Sequence, residues 1–243
     1  MEMVFVEHKC KDAAFFFSAE EVLVRRHCFE EPVLMLWQTE KTVMLGSNQV
    51  VEAEVDLEAA RDLGIQIVRR SSGGGAIFTD MGTVLYTVIE PINDDIIARR
   101  ESAAADVIRA LRKMGVPAVR EGKNDILADG KKISGLAQHS SGSHVCTHGS
   151  LLYNTDLEML IKVLIANPSK LLPKGIASIR SRVTNMKPYF DESHSVGEFI
   201  SALKEDLLHG KEYTSYGFTN RDIDDIMQIH RDKYTNNEWN FRL

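Results

Sequence analysis

The segment RRSSGGGAIFTDMG, residues 69–82, contains the feature that decides how this sequence folds. Its three consecutive glycines, Gly73, Gly74 and Gly75, lose much backbone entropy on folding, so the structure must require them. Without Cβ atoms, their amide groups can line a concave surface and point at an anion or a carbonyl oxygen. Arg70, just before them, adds a planar donor that is always charged.

This loop differs from the common phosphate-binding patterns. No lysine follows the glycines as in G-x-x-x-x-G-K-S/T, and no other residue alternates with them as in G-x-G-x-x-G. The residues alone therefore leave two interpretations open: a surface that binds an anion, or a glycine-rich turn that only joins two strands.

Apolar periodicity on both sides of the loop predicts an α+β fold. Short apolar runs predict a hairpin formed by residues 33–37 and 42–45, and further strands at 65–68, 84–89 and 145–153. Asp129-Gly130 predicts a tight turn between strands 125–128 and 133–138. Capping boxes predict helix starts at Ser18 and Ser195, and helical spacing predicts helices at 56–63, 104–115, 156–165 and 220–234. The strands are clustered between separated helices, which favours the α+β class over a doubly wound fold with strict β-α-β alternation.

Composition limits the classes of protein that this chain can represent. The 243 residues are 44% hydrophobic and 26% charged, which is typical of a folded globular protein of one or two domains. The net charge of −6 argues against a nucleic-acid partner, and no apolar run is long enough to span a membrane. Three widely spaced cysteines predict neither a disulfide framework nor a metal knuckle, so we expect a cytoplasmic location.

Four further blocks occur in a recognisable order. They are GKNDI from Gly122, KKISGLAQ from Lys131, THGSLL from Thr147 and KGIASIRSRVTN from Lys174. Together with the glycine loop, they resemble the signatures of lipoate protein ligases, in the superfamily that also holds biotin protein ligases. The resemblance implies mixed or antiparallel sheets flanked by helices, in a single catalytic domain over residues 1–243 without the family's C-terminal accessory domain.

The implied activity is a two-step acyl transfer with ATP, Mg²⁺ and lipoate. The lipoate carboxylate attacks the α-phosphate of ATP to give lipoyl-AMP, which then acylates a lysine of an acceptor. Acceptors in the family are apo lipoyl domains of 2-oxoacid dehydrogenase complexes or the glycine cleavage carrier protein. In some members the accessory domain is a separate polypeptide, so this chain either requires such a partner or is a truncated product.

The resemblance also implies site residues. Lys132 is the expected catalytic residue, because an ammonium group can stabilise charge that develops on the α-phosphate; the alternative is an exposed hairpin lysine. The expected substrate- and nucleotide-binding residues are Arg70, Ser72, Gly73, Gly74, Gly75, Ala76, Ile77, Phe78, Asn124, Asp125 and His148. Asp125 either orients Lys132, binds Mg²⁺ or only satisfies turn amides. His148 is either a pocket residue or a structural histidine. Arg180, Arg182 and Asn185 suit either phosphate contact or a solvated face.

Two other functions remain open from the sequence. Related octanoyl and lipoyl transferases work without ATP and carry the acyl group on a cysteine. One branch places that cysteine where this chain has Lys174, and others place it within residues 116–119, where no thiol occurs. Cys146 matches neither place and is expected to be buried and inert. A non-catalytic paralogue that binds lipoate or lipoyl-AMP is the second alternative, because Thr79 and Thr83 replace residues usual in the family.

Overall fold

Two β-sheets and the helices packed on them form the fold. The computed structural model describes residues 2–26, 29–92, 95–165 and 182–242. The strands are β1 Glu2–Val6, β2 Val33–Trp37, β3 Thr42–Leu45, β4 Gln66–Arg69, β5 Ile77–Thr79, β6 Thr83–Pro91, β7 Ala118–Glu121, β8 Asp125–Ala128, β9 Lys131–Ser141, β10 His144–Leu152 and β11 Glu212–Tyr216. The large sheet has the order β11-β1-β2-β6-β10-β9-β8-β7, and the small sheet has the order β4-β3-β5.

Helices pack on both faces of the large sheet and against the small sheet. They are α1 Ala13–Arg26, α2 Val51–Glu54, α3 Leu57–Asp62, α4 Ile96–Lys113, α5 Leu157–Val163, α6 Val196–Leu208, α7 Asn220–Ile229 and α8 Asn237–Asn240, and a π-helical turn, His230–Tyr234, follows α7. Buried side chains of α4 and α6 share one hydrophobic cluster with the sheet, and those of α1 and α7 share another. The small sheet packs with α3 and α5 in a third cluster. Helix α1 contributes to the cluster that also holds Met44 and Val68 of the small sheet.

The predicted hairpin of residues 33–37 and 42–45 is wrong. Both segments are strands, but β2 pairs with β1 and β6, whereas β3 pairs with β4 and β5 in the other sheet. The connection passes from one sheet to the other, and the buried hydroxyl of Thr39 hydrogen-bonds that of Thr79 at 2.8 Å. Two adjacent apolar runs predict strands, but they do not specify the partner of each strand.

The predicted helix start at Ser18 is also wrong. Helix α1 begins five residues earlier, at Ala13, and the carboxylate of Asp12 accepts from the amide of Ala14 at 2.9 Å. Ser18 lies inside the helix, where its hydroxyl donates to the carbonyl of Ala14 at 2.7 Å. Because residues 13–17 are all buried, packing extends the helix through a serine whose side chain would otherwise suit a cap.

Other local predictions are confirmed. Asp129 and Gly130 have φ values of 48° and 74° and connect β8 to β9, as the sequence predicts. Ser195 and Glu198 form a capping box at the start of α6. In the part of the chain that the structure describes, no helix is long and apolar enough to cross a membrane.

Candidate functional site

A cavity of about 140 Å³ lies between the glycine loop of the small sheet and strands β8, β9 and β10 of the large sheet. Part of its lining is apolar and comes from Phe17, Trp37, Met44, Ile77 and Leu85. The polar part includes Arg70, Asn124, Asp125, Lys132 and His148. Such a pocket suits a ligand that combines an apolar chain with an anionic group.

Lys132 and Asp125 form an ion pair at this pocket. The Lys132 Nζ lies 2.7 Å from Asp125 Oδ1, and both side chains are about one-third exposed. Asp125 pairs with Gly135, whereas Leu127 pairs with Lys132, because the register shifts between Ile126 and Leu127. The shift leaves Ile133 as an extra residue on β9. Lys132 and Gly135 are three residues apart and would face opposite sides of a regular strand, so this bulge places both on the face of Asp125.

Gly135 provides the room that the lysine side chain occupies. A Cβ at this position would lie 3.0 Å from the Nζ and 3.1 Å from the Cε of Lys132. The start of β9 is also held from the other side, because the amide of Thr184 donates to the carbonyl of Lys132 at 3.0 Å. The ammonium group is therefore positioned by the backbone and by one carboxylate.

Arg70 organises the glycine loop from within. Its guanidinium group donates to the carbonyls of Met44, Gly73 and Gly75 at 3.1, 2.8 and 2.9 Å, and its Nε donates to the hydroxyl of Ser72 at 3.0 Å. The side chain is buried, and burial lowers its pKa to about 10, opposed by the charge of Glu20. Arg70 thus remains charged at neutral pH, and it determines the shape of the loop.

The loop also packs tightly against β3. Gly74 has a φ of 101°, which favours glycine, and a Cβ on Gly46 would lie only 2.1 Å from the carbonyl oxygen of Gly74. The amide of Ser47 donates to the carbonyl of Ser72 at 2.9 Å. Gly46 therefore permits the close approach that holds the loop in place.

Arg69, the residue before Arg70, connects the segment after β3 to residues 239–242. Its side chain is fully buried and, among the described residues, donates to backbone carbonyls. The accepting carbonyls, at 2.7 to 3.4 Å, belong to Gly46, Ser47, Gln49, Trp239, Asn240 and Arg242. The Tyr234 hydroxyl and the Lys233 ammonium also contact the hydroxyl of Ser71, at 2.8 and 3.0 Å.

His148 lies between the loop and helix α1. Its Nε2 is 2.6 Å from the hydroxyl of Ser72, and its Nδ1 is 3.0 and 3.1 Å from the two carboxylate oxygens of Glu20. Burial by itself would raise the pKa of Glu20, but its interaction with His148 outweighs burial, so the pKa is lowered. Glu20 is therefore a buried carboxylate next to the pocket.

A family model described as the lipoyl protein ligase A/B catalytic domain matches residues 12–208. The chain belongs to this family. It is similar to the lipoate-protein ligase LplJ of Bacillus subtilis, with 31% identity over 98% of this chain and 73% of that relative.

Solved structures of the same family agree with this assignment. One is a bi-partite lipoate protein ligase of Thermoplasma acidophilum, from a structural study that includes its E2 lipoyl domain. It superposes with a TM-score of 0.86 and 28% identity, and the match covers 99% of this chain and 96% of that chain. A lipoate-protein ligase A bound with ATP has a TM-score of 0.84 and 27% identity, with 99% of each chain covered. The predicted α+β fold, the family and its ATP-dependent ligase class are therefore confirmed.

The pocket of this ligase-family domain contains most of the expected site residues. They are Arg70, Gly74, Gly75, Ala76, Ile77, Asn124, Asp125, Lys132 and His148. Ser72 is buried behind Arg70, and the Phe78 side chain points into the third hydrophobic cluster, as expected where neighbouring residues of β5 face opposite sides. Gly73 is exposed in the loop. The binding roles of these residues stay predictions.

The fourth block of the family signature is only partly visible. Lys174 and Arg180 lie outside the described residues. Arg182 is exposed, whereas Asn185 is engaged with Thr155, accepting from its amide at 3.0 Å and donating to its carbonyl at 2.9 Å. The side chain of Asn185 therefore ties the end of this block to Thr155, just before α5.

Asp125 and Asn124 supply a donor set that fits Mg²⁺. This ion prefers oxygen ligands and is usually held by one or two carboxylates together with substrate phosphates. Asp125 offers a partly exposed carboxylate and Asn124 an amide oxygen, and both line the pocket. The ion pair with Lys132 keeps that carboxylate beside the position expected for the phosphates.

Sequence reasoning missed several pocket residues. The pattern predicts ordinary core positions for the apolar ones, because apolar side chains at strand or helix spacing mostly lie in the core. These residues are Phe17, Trp37, Met44 and Leu85. Glu20 lies between Ser18 and Glu21, whose spacing predicts a capping box, so the sequence pattern does not single it out as a buried carboxylate. Its position one turn after Phe16, within a helix whose neighbouring side chains are buried, was the available signal that a carboxylate there needs a polar partner.

Proposed function

We propose that this pocket joins lipoate and ATP into lipoyl-AMP and passes the lipoyl group to a lysine of an acceptor domain. The observation that carries the proposal is the Lys132 ammonium, held by Asp125 across the pocket from the glycine loop. The apolar lining suits the acyl chain, and the polar lining suits the carboxylate and the phosphates.

In the first step, a carboxylate oxygen of lipoate attacks the α-phosphorus of ATP. The bond from that phosphorus to the bridging oxygen breaks, and pyrophosphate leaves. Lys132 stabilises the negative charge on the α-phosphate oxygens, and this interaction is stronger in the transition state than in the ground state. The loop amides around Gly74 and Gly75 add donors that Arg70 holds in place. Mg²⁺ at Asp125 and Asn124 would neutralise charge on the triphosphate.

In the second step, the neutral amine of the acceptor lysine attacks the carbonyl carbon of lipoyl-AMP. The carbon–oxygen bond of the mixed anhydride breaks, AMP leaves, and the amine proton passes to solvent. Lys132 is close enough to the same polar lining to stabilise the oxyanion and the leaving phosphate in turn. One ammonium group therefore serves both steps.

We propose an apo lipoyl domain of a 2-oxoacid dehydrogenase complex, or the glycine cleavage carrier protein, as the acceptor. The E2 lipoyl domain named with the T. acidophilum ligase supports the first of these. That ligase is described as bi-partite, which supports a separate accessory polypeptide as a partner of this chain. The cytoplasmic location stays a prediction from the cysteine content.

Cys146 supports the ATP-dependent route over a thioester route. The thiol is fully buried in the cluster under α1, and burial raises the pKa well above its usual value. A buried, protonated thiol is a poor nucleophile. Cys10, the other cysteine of the described part, is half-buried and does not line the pocket.

Lipoate-dependent exchange of pyrophosphate into ATP tests the first step, and lipoylation of an apo lipoyl domain tests the second. Both are measured with and without any separately encoded accessory domain. We expect Lys132→Ala to reduce both rates about 10²- to 10³-fold, the typical loss when one charge-stabilising donor is removed. Lys131→Ala is the matched control, since Lys131 is the exposed neighbour.

Three results would contradict the proposal. Undiminished turnover by Lys132→Ala would remove the assignment of that residue. Acyl transfer between carrier proteins without nucleotide would favour the transferase. Binding of lipoyl-AMP without exchange or transfer, even with the accessory domain, would favour the non-catalytic paralogue.

A further inference from the structure

A chain of hydrogen bonds runs from helix α1 to the glycine loop behind the pocket. It joins Glu20, His148, Ser72 and Arg70 through contacts of 3.0, 2.6 and 3.0 Å. These residues are only 2%, 7%, 1% and 6% exposed, so water does not compete for their hydrogen bonds. In such a setting each donor must find an acceptor, and this requirement determines where the hydrogens lie.

The donors and acceptors allow the hydrogens to be assigned. The Nε of Arg70 can only donate, so the oxygen of Ser72 accepts there. Glu20 is a carboxylate that can only accept, and it takes hydrogen bonds from the Thr87 hydroxyl at 2.6 Å and from His148 Nδ1–H. His148 Nε2 is left as the acceptor for the hydroxyl hydrogen of Ser72.

A doubly protonated His148 satisfies these groups less well. Its Nε2–H would donate to Ser72, whose own hydrogen would then need another acceptor. Among the described residues, the contacts of the Ser72 hydroxyl are Arg70 Nε and His148 Nε2.

Two further titratable groups near His148, His139 and Cys146, favour their neutral forms. His139 faces it from β9 with a ring separation of 5.9 Å, and burial lowers the pKa of His139 to about 4. Cys146, on the same strand, is a protonated thiol whose sulfur lies within 4.8 Å of the ligand atoms of Glu20 and His148. Glu20 is therefore the charged group that decides the tautomer of His148.

We propose that Glu20 is a positioning residue: it holds His148 in the Nδ1–H tautomer, so that the Ser72 hydroxyl points at His148 and its oxygen braces Arg70. Arg70 in turn holds the carbonyls of Gly73 and Gly75, which set the direction of the loop amides. Glu20 thus acts on the nucleotide loop without touching a substrate. The tautomer of His148 does not depend on the proposed function, whereas the expected effect on the rate of lipoyl-AMP formation rests on it.

The order Ser72–His148–Glu20 resembles that of a hydrolase triad, but Ser72 is not presented as a nucleophile. Its hydroxyl does not line the pocket, and its oxygen already accepts from Arg70. In a triad the serine oxygen is exposed to the substrate carbonyl. The same arrangement here orients a loop.

Glu20→Gln tests the assignment with little change in shape. The amide oxygen can still accept from Thr87, but the NH₂ group then donates to His148 Nδ1, which forces the hydrogen onto Nε2. We expect the ¹⁵N shifts of the His148 ring to show this reversal, and the rate of lipoyl-AMP formation to fall about 10- to 100-fold, the typical cost of misplacing a binding group. The Km for lipoate should change less than kcat.

Two further variants separate positioning from a general loss of structure. Glu21→Gln removes a neighbouring carboxylate that contacts Lys233 and Tyr234 instead, so His148 should keep its Nδ1–H tautomer. Ser72→Ala breaks the chain at its centre, should also lower kcat, and should leave the tautomer unchanged. Because Glu20 acts through Ser72, the double variant should lose no more activity than the stronger single variant.

The His148 tautomer is measured on the wild-type protein and requires no enzymatic activity. The measurement therefore tests the positioning role of Glu20 independently of the proposed function. Hydrogen on Nε2 of wild-type His148 would overturn the inference, whatever Glu20→Gln does to folding. A reversed tautomer with unchanged kcat, or additive losses in the double variant, would also overturn it. A protein with the Nδ1–H tautomer but no pyrophosphate exchange would instead count against the proposed function.

Discussion

Lys132 and Gly135 occupy the same face of β9 although they are three residues apart, because Ile133 is the extra residue of a β-bulge. The bulge brings the Lys132 ammonium within 2.7 Å of Asp125 on the neighbouring strand. Bulges commonly re-aim a side chain next to an active site. The position of the expected catalytic group therefore depends on one irregularity in an otherwise regular ladder.

Gly135→Ala should disturb the ammonium group without unfolding the sheet. The new methyl group would lie 3.0 Å from the Lys132 Nζ, so the flexible end of that side chain has to move away from Asp125 by a few tenths of an ångström. We expect pyrophosphate exchange to fall about 10-fold, in line with the sensitivity of rates to small misplacements, and the melting temperature to stay within about 2 °C. Gly197→Ala, whose Cβ meets only Ser195 Oγ at 3.8 Å, is the control. Equal activity of both variants would show that the lysine position is not critical.

Gly46→Ala should destabilise the protein and inactivate it together. Its Cβ would lie 2.1 Å from the backbone oxygen of Gly74, so the glycine loop itself must shift. We expect a loss of about 1–3 kcal/mol in the free energy of unfolding, measured by urea titration, along with loss of lipoyl-AMP formation. The Cβ of Gly73→Ala would meet no heavy atom of the described residues within 4 Å, apart from its chain neighbours, so this control should unfold at the wild-type urea concentration. A stable Gly46→Ala protein with normal activity would contradict this account of the loop.

Arg69→Met should weaken the whole fold. The substitution keeps an unbranched side chain but removes donors to buried carbonyls of both the loop after β3 and residues 239–242. Buried hydrogen bonds to a charged group contribute about 1.5–3 kcal/mol each, so we expect a loss of at least about 3 kcal/mol in the free energy of unfolding. Arg61→Met, which removes an exposed arginine paired with Asp62, should change it by less than about 0.5 kcal/mol. Comparable losses in the two variants would disprove the fastening role.

His139 should make stability depend on pH below neutrality. Burial is the main cause that lowers its folded-state pKa to about 4, against 6.5 for the ordinary side chain. As pH falls below 6.5 the unfolded chain takes up a proton that the folded protein refuses until about pH 4. The free energy of unfolding therefore decreases over this range, by about 3 kcal/mol at the lower end.

His139→Leu removes this contribution, and His139→Gln does so with a polar replacement if the leucine variant is poorly folded. The free energy of unfolding is measured for each variant and for the wild type between pH 4 and 7. The difference between the wild type and each variant should shift in favour of the variant as the pH falls. Parallel curves would show that His139 titrates alike in the folded and unfolded states.

Local chemistry was readable from the sequence. The Asp129-Gly130 turn, the Ser195 cap and the apolar stripe of α4 depend on neighbours within a few residues, so their patterns predicted them correctly. The glycine loop and the ordered blocks around Lys132 identified the family for the same reason. Glycines that a backbone conformation requires, and side chains that a reaction requires, can be recognised in the sequence without knowing their position in the fold.

Only the tertiary structure decided which strands became neighbours and which buried polar groups met. Nothing local separates β2 and β3 into two sheets, and no spacing rule connects Glu20 with His148, which are 128 residues apart. Strand pairing and buried hydrogen bonds are determined by packing and by the need of every desolvated polar group for a partner. The sequence thus determined the glycine loop and the candidate catalytic lysine, and packing of the two sheets around α1 decided the polar support behind them.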